Sequence, residues 1–266
     1  ALDASTGIWT YTLDNTKAAT QALKENETVT QAYTARVTDD VGAYVDQTVT
    51  ITINGTNDSP AITAGTTSAY TENANAVSID SNLALIDVDD TYLTGATVTI
   101  SHFVSGDILE FTDTSSIHGS YDASGILTLT GTDTLDNYQS ALRSVGYRSS
   151  SDDPTLNTTS LSRTITWVVV DSNGANNAVA ATSTINVTAV NDTPVLTAGA
   201  TLAYTENATA TVIDNTITLT DTDDTQIVSA NVSIGNFVSG DSLGFTNQNN
   251  IVGRNDSANV CSTVTR

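Results

Sequence analysis

Acidic and amide side chains return in this sequence at fixed places. Asn57-Asp58-Ser59-Pro60 reappears as Asn191-Asp192-Thr193-Pro194, and a glutamate, Glu72 or Glu206, follows each proline at the same interval. A D-x-D-D cluster comes next: Asp87, Asp89 and Asp90 in one copy, Asp221, Asp223 and Asp224 in the other. Ahead of each Asn-Asp pair stands a D-x-x-G signal, Asp39 to Gly42 and Asp171 to Gly174. Such oxygens are hard ligands, and calcium takes about six to eight of them at roughly 2.3–2.6 Å. Carboxylates crowded together without a cation raise one another's pKa values and strain the fold, and a divalent ion converts that repulsion into a clamp. The competing account is that Asp and Asn sit in turns because they bond their own backbone. Asp107 and Asp241, in Ser-Gly-Asp, are assigned to turns on that ground.

Other chemistries find little support. His102 and His118 are the only histidines; they align with Asn236 and Val252 in the second copy, in ordinary strand and turn contexts. No nucleophile–base arrangement, Gly-rich phosphate loop or basic patch with interleaved aromatics is evident. Eight basic against 30 acidic residues give a net charge of -22, which repels nucleic acid and anionic membrane. Neither is expected as a partner. Cys261 is the only cysteine, so no internal disulfide or cysteine-based zinc site can form. No apolar run approaches the roughly 18 residues that span a bilayer. Ala1-Leu2-Asp3 carries no basic-then-apolar export signal, so an export address is expected elsewhere or already removed.

The elements that must position these oxygens repeat as well. PAITAGTTSAYTENA from Pro60 returns as PVLTAGATLAYTENA from Pro194, an offset of 194 − 60 = 134 residues that holds without a gap, with 31 identities in the 58 positions from Pro60 to Ile117. Asp3-Ala4-Ser5-Thr6-Gly7 resembles Asp122-Ala123-Ser124-Gly125. The expected organisation is therefore the C-terminal half of a repeat over 1–58, a complete repeat over 59–192, and the N-terminal part of a second copy over 193–266.

Within each unit the pattern is β. Period-two alternation marks Trp9, Tyr11 and Leu13; Tyr33, Ala35 and Val37; Val49, Ile51 and Ile53; Ala96, Val98 and Ile100; and Ile165, Trp167 and Val169. Asn54-Gly55, Ser105-Gly106, Ser124-Gly125 and Asn173-Gly174 separate the runs. Trp9 and Trp167 fall on apolar faces and are expected in a core. Leu135, Tyr138, Ala141 and Leu142 have helical spacing and predict one short helix. Many short strands between turn signals predict tandem β-sandwiches in an all-β protein.

GIWTYTLDN, VTDDVG and VTITINGTNDSPAI together resemble the C-terminal part of a VCBS repeat, and the 134-residue unit resembles the bacterial cadherin-like repeats of large secreted adhesins. The resemblance implies Ig-like or cadherin-like sandwiches with calcium between consecutive domains. Carried over residue by residue, it implies one junction of Asp39, Asn57, Asp58, Glu72, Asp87 and Asp89, and a second of Asp171, Asn191, Asp192, Glu206, Asp221 and Asp223, with Asp90 and Asp224 beside them. The linker is shorter than in animal cadherins, and their D-R-E motif is missing. The function this implies is a non-catalytic stretch of a secreted bacterial surface protein, each repeat spacing the next, with neighbouring repeats or head-to-tail copies as partners. Two alternatives stand beside it: a filament subunit completed by strand exchange between chains, and an adhesion module binding a cell-surface glycan. No aromatic or polar patch peculiar to one repeat is evident for the last.

Overall fold

The computed structural model describes residues 7–247, 249, 251–256 and 261–265; the Asp3–Thr6 match lies outside them. Among the described residues the fold is all-β apart from two helices, α1 (Ala18–Gln21) and α2 (Leu135–Ser144). It divides into two compact units, one running to Thr155 and including Ser160–Thr188, the other comprising Leu156–Thr159 and the residues from Ala189 onward.

The first unit opens with a long hairpin. β1 (Thr28–Thr38) and β2 (Tyr44–Asn54) pair antiparallel over their full length, from Thr28↔Asn54 to Thr38↔Tyr44. The alternation at Trp9–Leu13 predicted a strand and a core tryptophan; the structure corrects both. Apart from a single bridge residue at Trp9 no strand forms there, and Trp9 is half exposed. Alternation supplies a face, but a strand also needs a neighbour for its ladder, and an isolated pair is marginal.

The rest of the unit is a sandwich. Its strands are β3 (Ala61–Thr63), β4 (Thr67–Thr71), β5 (Val77–Ser78), β6 (Ala84–Ile86), β7 (Tyr92–Ser101), β8 (Asp107–Glu110), β9 (His118–Asp122), β10 (Ile126–Thr134), β11 (Gly146–Ser149), β12 (Ser162–Asp171) and β13 (Ala181–Thr188). A six-stranded sheet in the order β4-β13-β12-β7-β10-β9 is antiparallel except where β4 runs parallel to β13. A three-stranded sheet, β5-β11-β8, and the pair β3-β6 complete the sandwich. Val98, Leu129, Ile165, Trp167 and Ile185 from the large sheet meet Leu109 and Tyr147 from the smaller one in a single buried cluster. The short helix arrives as expected: Thr134 caps α2 by accepting from the Asn137 amide, and Tyr138, Ala141 and Leu142 are its buried face. Asp136 in its first turn and Arg143 in its last complement the helix dipole.

Charged residues also lie deep in this core. β12 alternates strictly, so Arg163, Ile165, Trp167, Val169 and Asp171 all face inward and all are buried. Arg163 donates Nε to Asp107 Oδ2 at 2.5 Å and Nη2 to Asp107 Oδ1 at 3.2 Å, and Tyr147 Oη donates to the same Oδ1 at 2.6 Å. Asp107 does close its turn, accepting from the Val104 amide at 2.8 Å, as Asp241 does from Val238 at 3.1 Å. The ion pair is an additional role that assignment to a turn had left out.

Asp80 is the other anchor. It accepts from the amides of Gly65, Thr66 and Asn82 and the hydroxyls of Thr66 and Ser183, and Ser183 Oγ in turn accepts from Trp167 Nε1 at 3.0 Å. Burial pushes its carboxyl up, but the Thr66 hydroxyl, the two amides of Gly65 and Thr66 and the Ser183 hydroxyl outweigh it, leaving Asp80 well below the usual carboxylate range. A depressed folded-state pKa stabilises fully above the unfolded value near pH 4 and is lost as pH falls below it. Asp80→Asn therefore lowers stability by about 1–3 kcal/mol at neutral pH. The gap from the unmodified protein narrows as unfolding is followed down towards pH 2; a gap independent of pH would contradict the carboxylate's role.

The second unit is built more sparsely: β14 (Val195–Thr197) pairs with β15 (Thr218–Thr220), and β16 (Ser229–Ser233), β17 (Val252–Asp256) and β18 (Cys261–Thr265) form a sheet in the order β16-β18-β17. Residues that are core in the first copy are exposed here. Tyr70 is 1% exposed and Tyr204 57%; Val98 is 0% and Val232 50%. Asp214 nevertheless repeats the Asp80 contacts to Gly199, Ala200 and Thr216.

Candidate metal centre

The D-x-x-G signals are one turn used twice. Asp39 Oδ1 accepts from the amides of Val41 and Ala43 at 3.0 and 2.8 Å. Asp171 Oδ1 accepts from Asn173 and Ala175 at 2.9 and 2.8 Å. One oxygen shapes the turn and the other is left for a partner. For Asp171 that partner is Asn57, whose Nδ2 donates to Asp171 Oδ2 at 2.9 Å.

Around this contact the end of the sandwich gathers its acidic groups. Asn173 Nδ2 reaches Asn57 Oδ1 at 2.7 Å and Asp90 Oδ2 at 3.2 Å. The Asp58 amide donates to Asp89 Oδ2 at 3.2 Å, and Asp87 Oδ1 accepts from the amides of Asp89 and Asp90 at 3.2 and 3.1 Å. The D-x-D-D segment is thus a tight turn after β6, pinned to the linker on one side and to the β12–β13 turn on the other. Glu72, just past β4, is buried at 3% exposure, and its amide donates to Thr188.

Electrostatically the cluster is uncompensated. Asp87 Oδ2 and Asp89 Oδ1 are buried without a hydrogen-bond partner among the described residues, a state that costs free energy unless a cation is bound or a proton taken up. Burial pushes the Asp87 carboxyl up, the Asp90 amide draws it back, and the adjoining Asp89 carboxylate raises it again, to about 6. Two lone, buried, anionic oxygens on carboxylates two residues apart are donors suited to a hard divalent ion, and the set at hand fits one. Asp87 and Asp89 would be its ligands, with Asp90, Asp171 and Asn57 around them.

This grouping differs from the two junctions implied by the family resemblance. Asp171 stands with Asn57 and the Asp87–Asp90 turn, not apart from them. Asp39 is not brought to them: it lies at the tip of the β1–β2 hairpin, while Asn57 and Asp58 follow the other end of β2. Eleven residues of extended strand separate those ends, about 35 Å. Sequence proximity of a D-x-x-G to the next Asn-Asp is misleading because a strand intervenes; the same turn belongs to the opposite end of its own repeat.

In the second unit the Asp192 amide donates to Asp223 Oδ1 and Oδ2 at 3.3 and 3.2 Å, and Asp224 donates its amide to Asp221 Oδ1 at 3.1 Å, the contacts of the first copy. Asp221, Asp223 and Asp224 bring ligand oxygens within 4.8 Å of one another. Asn191 and Glu206 are exposed.

No family model matches the chain. It is 33% identical over 175 residues to halomucin of Haloquadratum walsbyi, a match covering 57% of this chain and 2% of that protein. Among solved structures, protocadherin gamma B2 cadherin domains 3–6 align over 100% of the chain and 54% of their own length at 12% identity and a TM-score of 0.37. Protocadherin gamma B7 domains 1–4 align over 95% and 50% at 15% identity and 0.33, and the human desmocollin-1 ectodomain over 96% and 41% at 13% and 0.24.

Proposed function

We propose that this chain is a non-catalytic structural stretch of an extracellular surface protein built from tandem β-sandwich repeats, and that calcium braces each repeat at the end where the preceding linker enters. The carrying observation is the pair of buried, unpartnered oxygens, Asp87 Oδ2 and Asp89 Oδ1, set where the linker residues Asn57 and Asp58 meet the β12–β13 turn. An ion there ties linker to sandwich and removes hinge freedom between one repeat and the next. The internal duplication, and the partial match to a very much longer protein, support a role in extension rather than turnover. The partners in this account are neighbouring repeats, or further copies of the chain placed head to tail.

Thermal unfolding in calcium and in chelator tests it, with two variants chosen to separate the clusters. Asp171→Asn sharply reduces the calcium-induced rise in midpoint, whereas Asp39→Asn leaves it intact. Equal loss in both variants would restore the junction that groups Asp39 with Asn57, and no calcium response at all would overturn the proposal.

A further inference from the structure

One cleft lies away from the acidic cluster. It is an open cavity of about 680 Å³ where β8 and β11 approach β9, lined among others by Ser78, Glu110, Phe111, Tyr121, Arg143 and Arg148. That volume is in the range of small-molecule sites. Its floor and its rim have different origins. Leu109, Phe111 and Gly119 return 134 residues on as Leu243, Phe245 and Gly253. In both copies the phenylalanine packs against the glycine, so that an added Cβ would stand 2.6 or 2.7 Å from its ring. Three members of the polar rim do not return: Ser78, Glu110 and Tyr121 are matched by Val212, Gly244 and Asn255. The scaffold is repeated and these three side chains are not, as expected of a site grafted on a fold. The sequence alone did not show such a one-repeat patch, because its members are scattered from Ser78 to Arg148.

The equipment has a definite chemistry. Two of the chain's eight basic residues line this one cleft. Arg148 is ion-paired with Glu110 on the adjacent strand. Arg143, at the end of α2, gives its Nε to the Leu83 carbonyl at 2.7 Å and has no ion pair among the described residues. Guanidinium groups beside a carboxylate offer paired donors next to paired acceptors, which match vicinal hydroxyls. Tyr121 is fixed by donating its hydroxyl to the Asp107 carbonyl at 2.6 Å, leaving a half-buried ring for the C–H face of a sugar. A net charge of -22 repels anions at long range, and Glu110 offsets Arg148, so the fitting occupant is uncharged. We infer that this cleft binds one unit of a neutral saccharide, independently of the metal centre.

Isothermal titration of the calcium-loaded chain with maltose, lactose, mannobiose and diacetylchitobiose tests this. At least one should bind with a Kd of about 1 mM or tighter, with little dependence on salt. Arg143→Gln and Tyr121→Ala should each weaken it tenfold or more. Arg148→Gln, which breaks only an exposed pair, should do the same without moving the thermal midpoint, so that loss of fold is not mistaken for loss of a contact. Absence of binding by all four sugars, tighter binding of galacturonate than of galactose, or unchanged affinity in the arginine variants would overturn the assignment.

Discussion

Asp107→Ala is expected to lower the stability of the first unit by about 3–5 kcal/mol, because it strands the Arg163 guanidinium in the core. Arg163 and Asp107 both have fully buried side chains. Besides Asp107, Arg163 donates to the carbonyls of Pro154 and Ser160, and these cannot neutralise its charge. Removing the carboxylate also takes the acceptor from Tyr147 and from the Val104 amide. For a repeat of this size the midpoint should fall by roughly 10–15 °C. The pair replaced together, Asp107→Leu with Arg163→Met, should recover most of that loss, since a buried ion pair exchanged for apolar groups of similar volume is often close to neutral. Denaturant unfolding of the three variants measures this, and a single-variant cost below about 1 kcal/mol would mean that the charge is relieved in some other way.

Calcium should have the second large effect, with variants whose sign reverses between conditions. At a hundred times its Kd a bound ion adds about 2.7 kcal/mol to the folded state, so chelation should lower the midpoint by several degrees. Asp87→Asn should abolish that response. In chelator, however, the same variant should be more stable than the unmodified chain at pH 7. Burial and the Asp89 carboxylate raise Asp87 to about 6; a raised acid is a folded state that prefers the neutral form, so the ionised group weakens folding as pH climbs from near 4 through 6. Asparagine removes that penalty and the ligand together. Should Asp87→Asn destabilise equally with and without calcium, the carboxylate is holding the turn rather than an ion.

Much of this arrangement was legible in the sequence, and the exceptions have physical causes. The strands β7 and β12 and the helix α2 follow from alternation or spacing alone, because each buries one face against a partner; β1 and β2 also form where the alternation places them, but they pair with each other and leave both faces largely exposed. Trp9 had the alternation but makes only a single bridge, not a ladder. The inward register of β12 already placed Arg163 two residues before Ile165 on the buried face, so an internal carboxylate could have been anticipated; only the three-dimensional fold identifies it as Asp107. The Asp80 anchor was equally visible as a residue recurring at Asp214, but a lone aspartate between two apolar segments reads as a turn until its five donors are in place. The acidic groups were found by recurrence, whereas their grouping was not, because linear order pairs Asp39 with Asn57 and the hairpin carries them to opposite ends.

The parallel pairing of β4 with β13 has a mechanical consequence. These strands lie near the two ends of the repeat, joined in five consecutive register positions from Thr67↔Thr184 to Thr71↔Thr188. Tension applied through the flanking segments would pull β4 backward and β13 forward along their common axis. That geometry loads the rungs in shear, all together, instead of unzipping them one after another. Extension of an array would then be resisted by a short ladder whose rupture must be nearly simultaneous.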